Sequence, residues 1–175
     1  VEKVKNQEQF EKEIIIVDDF STDGTREIIK KKLEGKIDKL LLNNKNFGKG
    51  YSIRQGIEIS TGDIILIQDA DLEYDPSDYF KLIDPIKKGY ADVVYGSRFV
   101  GSEEKRVLFF WHSIGNFILT FLSNMFSNLN LTDMENCYKV FRSEIIKNIK
   151  LYENRFGFEP EVTAKLAKKK YRIYE

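Results

Sequence analysis

Cysteine, histidine and proline are all scarce in this chain. One cysteine, Cys137, in 175 residues excludes an internal disulfide, and points to a reducing compartment rather than a secreted life. One histidine, His112, excludes a multi-histidine metal centre, and it reads as a structural residue. Three prolines and no Pro/Gly/Ser-rich tract leave no linker, and no repeat is present, so the chain reads as one compact unit. Neither sign of charge is in excess, with 28 basic against 28 acidic residues, which argues against nucleic acid as a bulk electrostatic partner. No run reaches the roughly 18 uninterrupted apolar residues of a membrane-crossing helix. Residues 1–13 are charged, unlike a secretory signal. Asn130-Leu131-Thr132 fits a glycosylation sequon, which in such a compartment is chance.

What is present is alternation. Apolar strand-like runs at 13–19, 38–42, 63–68, 92–95 and 138–141 are interleaved with helix-like runs at 23–33, 48–60, 77–88, 107–129 and 160–170. A further helix is expected over 2–12, and a strand begins at 171. The order predicts an α/β fold with a mostly parallel sheet flanked by helices.

Such sheets bind ligands outside the carboxyl ends of their strands. Two strands here end in acids. The first closes on Asp18-Asp19 and runs into Phe20-Ser21-Thr22-Asp23-Gly24-Thr25. Asp18 reads as a ligand contact, because an acid at the end of a buried strand needs a partner, and Asp23 reads as a helix cap. The second strand closes on Gln68-Asp69-Ala70-Asp71-Leu72-Glu73. Acids at the first, third and fifth positions of a turn can converge on one hard cation such as Mg2+ or Mn2+, which makes Asp69, Asp71 and Glu73 candidate metal ligands. Between the two sites, Asn44-Lys45-Asn46-Phe47-Gly48-Lys49-Gly50 precedes a helix. Gly48 and Lys49 there either meet a phosphate or simply open the helix.

The run Lys105-Arg106-Val107-Leu108-Phe109-Phe110-Trp111-His112 opens a long aromatic helix. Its basic edge and bulky apolar residues suit peripheral contact with a membrane through 107–129, with core or homodimer packing as the alternative.

Four segments in this order resemble one family. Val-Asp-Asp-Phe-Ser-Thr-Asp-Gly-Thr at 17–25, Asn-x-x-x-Gly-Lys-Gly at 44–50, the run from Gly62 to Pro76, and Tyr-Gly-Ser-Arg-Phe at 95–99 are similar to the dolichyl-phosphate mannose synthase-like branch of glycosyltransferase family 2. Thr132-Asp133-Met134 and Arg155-Phe156-Gly157-Phe158-Glu159 extend the likeness over nearly the whole chain. The resemblance implies a GT-A fold and an inverting, metal-dependent transfer from a UDP- or GDP-sugar, often to a polyprenyl phosphate on the cytoplasmic membrane face. It sets Asp18 and Asp19, with Gly48, Lys49 and Asp69, at the nucleotide, Asp69, Asp71 and Glu73 at the metal, and Arg98 and Arg106 at the acceptor phosphate. Members of the family begin with a strand carrying a Pro-x-Tyr-Asn-Glu-like segment. None is found here, so the expectation is a single GT-A catalytic domain over 1–175 without its first strand and C-terminal end. Members also often carry Gly-Phe or Gly-Tyr after the Thr-Asp motif, where this chain has Asn136-Cys137-Tyr138.

An acceptor phosphate is already ionised and needs no general base, whereas a saccharide hydroxyl needs one, for which Asp133 is the candidate. Asp71 and Asp133 are thus the candidate catalytic residues. A non-enzymatic phosphoacceptor receiver module is a rival reading, since it too ends one strand in an Asp pair and a later strand in an Asp.

Overall fold

A computed structural model covers the chain and describes residues 1–71, 74–99 and 109–175. Strand β1 (Ile15–Asp18) pairs in parallel with β2 (Lys39–Leu42), and helix α2 (Thr25–Lys32) makes the crossover. Helix α3 (Lys49–Ile59) then returns across β1, where a Cβ on Gly56 would meet the Val17 side chain at ordinary contact distance. It delivers the chain to β3 (Ile64–Ile67).

β3 belongs to a second sheet, ordered β3-β5-β4-β6. β4 (Val93–Tyr95) pairs in parallel with β6 (Ile173–Tyr174), as expected of this fold. β5 (Lys139–Arg142) lies between β3 and β4 and runs antiparallel to both. Periodicity and composition gave β5 a place in the chain but no direction.

Along β4 the side chains alternate between faces. Val93 and Tyr95 join Phe141 against Ile57 of α3, Ile145 and Ile146 of α6 (Ser143–Lys147), and Phe158, Val162 and Leu166 of α7 (Phe158–Lys168). Val94 and Val140 face the other way, onto Tyr79, Leu82 and Ile86 of α4 (Tyr79–Lys87). The result is a helix–sheet–helix sandwich. α4 follows a single 3-10 turn, Pro76–Asp78, where Asp75 accepts a hydrogen bond from Ser77 N at 3.0 Å.

Two expected helices differ in extent. α1 covers only Glu2–Lys5 and buries none of its residues, because a short charged segment without an apolar face has little to hold it helical. α5 covers Phe110–Ser127 and ends at Asn128, which adopts the left-handed conformation common at helix C-termini. Residues 107 and 108 of the expected helix lie outside the described residues. α6 was not anticipated, since five residues are too few for a periodic signal.

Candidate active site

The acid-bearing ends of β1 and β3 meet at the N-terminus of α3. At their opposite ends the Glu13 carboxylate accepts from Thr61 N at 2.8 Å, so the two strands run side by side in direction although they are not paired.

Asp19 caps α3. Its two oxygens accept from Phe47 N at 2.9 Å and Gly48 N at 2.7 Å, and from the Asn43 amide at 2.8 Å. Gly48 is the N-cap of α3 and Phe47 precedes it, so Asp19 ties down the turn that enters the helix. Burial pushes the Asp19 pKa up, but these donors outweigh it and hold the carboxyl below its ordinary value. Gly48 has φ +103, and a Cβ there would lie 2.3 Å from Asn154 O. Its need for glycine is therefore local, set by the 153–155 loop. Asp18 is buried at 5% exposure and has an internal partner that sequence reasoning missed. Arg26 of α2 donates to it at 2.5 Å and also reaches Asn43 O. Burial raises the Asp18 pKa, and Ser21 and Arg26 more than reverse that. Directly after the two acids, Phe20 adopts a left-handed φ of +68, which aromatic residues rarely do, and its ring lies under the Arg26 guanidinium. The N-cap of α2 is Gly24 rather than the expected Asp23, which lies one residue earlier and accepts from Thr25 N at 3.1 Å.

Across the gap, Asp69 Oδ2 receives Lys49 Nζ at 3.1 Å and the Cys137 thiol at 2.5 Å. Lys49 also pairs with Glu159 Oε1 at 2.8 Å. Burial opposes the charge on Lys49, yet Glu159 wins and raises its pKa, so Lys49 is a fixed cation. Burial pushes the Cys137 thiol up to about 11, which keeps it protonated and a donor. Asp71 is exposed on the same turn. Glu73 and Arg106 lie outside the described residues.

A third cluster surrounds Arg98. Its guanidinium grips Asp133 with Nε at 2.7 Å and Nη2 at 2.8 Å, and Asn116 donates to the same carboxylate at 3.1 Å. Asp133 is fully buried, while the Arg98 side chain keeps about a quarter of its surface. Burial raises the Asp133 pKa, but Arg98 overrides it and holds the carboxyl below its ordinary range. A carboxylate so held is a poor proton acceptor. Tyr74 joins this cluster to the previous one, its hydroxyl accepting from Cys137 N at 3.3 Å.

Lys139 supports the turn between them. It is fully buried, donates to Met134 O at 2.9 Å and to Asn136 O, and lies over the Tyr95 ring. Burial, against the pull of Glu159, brings its pKa down to about 8.

Among the described residues no group of three or more His, Cys, Asp or Glu side chains forms a metal cage. A hard divalent ion of the Mg2+ type does not need one, because it commonly takes one or two carboxylates and completes its shell with substrate phosphates and water. Asp69 and Asp71, oxygen donors on a partly open turn beside a lysine and a helix N-terminus, fit that mode.

A family profile described as Glycosyl transferase family 2 matches residues 1–150. Dodecaprenyl-phosphate galacturonate synthase of Rhizobium johnstonii is 28% identical over 150 residues, covering 85% of this chain and 43% of that protein. The chain therefore spans less than half of that relative. Glucosyl-3-phosphoglycerate synthase of Mycobacterium tuberculosis, solved with Mn2+, UDP and phosphoglyceric acid, superposes with a TM-score of 0.71 at 16% identity, over 93% of this chain and 56% of that one. The mannosyltransferase PcManGT of Pyrobaculum calidifontis, solved with GDP-Man and Mn2+, gives 0.62 at 19% identity, over 93% and 44%. The fold is GT-A, and the receiver-module reading falls with the family match.

Proposed function

The chain belongs to glycosyl transferase family 2, and from that premise we propose that it forms the donor-binding part of an enzyme that moves a sugar from a nucleoside diphosphate to a polyprenyl phosphate at a membrane face. The observation that carries the reading is the meeting of Asp18, Asp19, Asp69 and Lys49 at one edge of the fold, on the N-terminus of α3. In this proposal Asp18 and Asp19 line the nucleotide, and Asp69 and Asp71 hold Mg2+ or Mn2+. The ion, when bound, would neutralise charge on the leaving diphosphate. Lys49 orients Asp69 and adds a positive charge beside the diphosphate.

The state of Asp133 favours a phosphate acceptor. Transfer to a saccharide hydroxyl needs a base, and the candidate base is sealed and committed to Arg98. A phosphate oxygen needs none. In this reading Asp133 and Asn116 hold Arg98 rigid, and Arg98 holds the acceptor phosphate.

Helix α5 favours a lipid surface. It is built inside out: Asn116 and Thr120 are buried, whereas Trp111, Phe117, Phe121 and Phe126 are 57–82% exposed. No charged residue lies between Phe110 and Ser127. None of the described helices is long and apolar enough to cross a membrane. A helix of this kind lies in the interface with its apolar side in the lipid. A homodimer through the same face is the second reading. The cytoplasmic face follows in the proposal from the reduced Cys137.

The test is release of nucleoside diphosphate from UDP- and GDP-sugars with Mn2+ and vesicles. Release that requires polyprenyl phosphate in the vesicles is expected. Release that follows added saccharide and ignores polyprenyl phosphate would overturn the acceptor assignment.

A further inference from the structure

The two strands that flank the metal turn carry a contact that sequence motifs give no hint of. In the β3–β5 ladder Ile67 stands opposite Lys139, and the same antiparallel register carried two residues further sets Asp69 opposite Cys137. The contact is made, with the thiol donating to Asp69 Oδ2 at 2.5 Å. Lys49 donates to the same oxygen at 3.1 Å and touches Sγ at 2.8 Å. Behind Lys49, Glu159 is 3% exposed and pairs with it through Oε1 at 2.8 Å, so the cluster is anchored from the core side. Two donors on one oxygen fix the rotation of the Asp69 carboxylate and leave its other oxygen to a ligand.

We propose that Cys137 is a positioning residue of the donor site, holding the Asp69 carboxylate in the orientation that receives the metal-bound diphosphate, so that covalent modification of this thiol closes the site. The inference rests on the function proposed above. It predicts that a hydroxyl in place of the thiol suffices and a methyl does not, because what is required is a donor at that point.

The test titrates Mn2+ with UDP, and with GDP, into wild type, Cys137→Ser and Cys137→Ala, with thermal unfolding of each. Cys137→Ala should bind more weakly by about tenfold, the lower end of what loss of a ligand-orienting partner costs, while Cys137→Ser stays within about threefold of wild type. Cys137 is the only cysteine, so iodoacetamide labelling reports on it alone. Bound Mn2+ and nucleotide should slow labelling, and fully labelled protein should no longer bind. If Cys137→Ala does not fold, the serine variant and the labelled wild type decide. An alanine variant or a labelled protein that binds as wild type does would overturn the positioning role and leave the donor site standing. Wild type that binds neither nucleotide would overturn both.

Discussion

Strands β1 and β4 have equally apolar sequences and unequal surroundings. Ile15, Ile16 and Val17 of β1 are all half-buried, whereas Val93, Val94 and Tyr95 of β4 are at most 3% exposed. The difference is one of neighbours. β4 lies between β5 and β6 with helices on both faces, while β1 has β2 on one edge only. An apolar run specifies a strand, but the pairing of both edges specifies burial. The proposed chemistry follows the looser half: Asp18 and Asp19 end β1, and the residues that meet them are held by side chains rather than by a sealed core.

The comparison breaks most readily in the core. Phe141→Ala should cost about 3–5 kcal/mol, and Ile16→Ala no more than about 2 kcal/mol because its site is already half open. Urea unfolding of both variants measures this, and equal costs would erase the distinction between the halves. The next largest effect is at Asp19, whose oxygens satisfy three donors. Asp19→Ala should cost about 2–3 kcal/mol, as expected for hydrogen bonds to a charged group. Its folded pKa is below the ordinary value, so its contribution is full above the unfolded pKa and is lost as pH falls through the folded one. Wild type should therefore lose stability in acid below about pH 4, and Asp19→Asn should lose less over that range.

A smaller effect of the same sense, at alkaline pH, belongs to the sealed half. Lys139 has a folded pKa near 8, below its unfolded value of 10.5. Between these the unfolded chain binds more protons, so Lys139 adds stability as pH rises, by at most about 1.4 kcal/mol per pH unit. The raised Cys137 works against this above pH 9, which places the visible rise between pH 8 and 9. Lys139→Met should flatten it in denaturant titrations at each pH. Smallest in stability is the outward face of α5. Phe117→Ser with Phe126→Ser should change unfolding free energy by less than about 0.5 kcal/mol per site. The same pair should abolish the blue shift of Trp111, the only tryptophan, on vesicles of anionic lipid.

Much of this was legible in the sequence. The two acid-ended strands and the glycines at the start of α3 are local patterns, and local patterns survive into the fold. Arg26 on Asp18, Cys137 on Asp69 and Arg98 on Asp133 were not legible, because each pair is chosen by strand register or helix packing across 8 to 68 residues of chain. Lys139 reads as a solvated charge in any window of sequence and is in fact fully buried at the start of β5. Asp133 shows the cost of reading residue type alone: a carboxylate near a site suggests a base, and only its neighbours reveal that it is spoken for.

The central claim is that the acids at the open end of β1 and β3 hold a metal and a nucleoside diphosphate. Calorimetric titration of UDP and of GDP, each with and without Mn2+, into wild type and Asp71→Ala tests it most directly. Mn2+-dependent binding of one nucleotide, lost in Asp71→Ala, is the expected result. Binding that ignores Mn2+ and survives Asp71→Ala, or no binding of either nucleotide by folded protein, would contradict it.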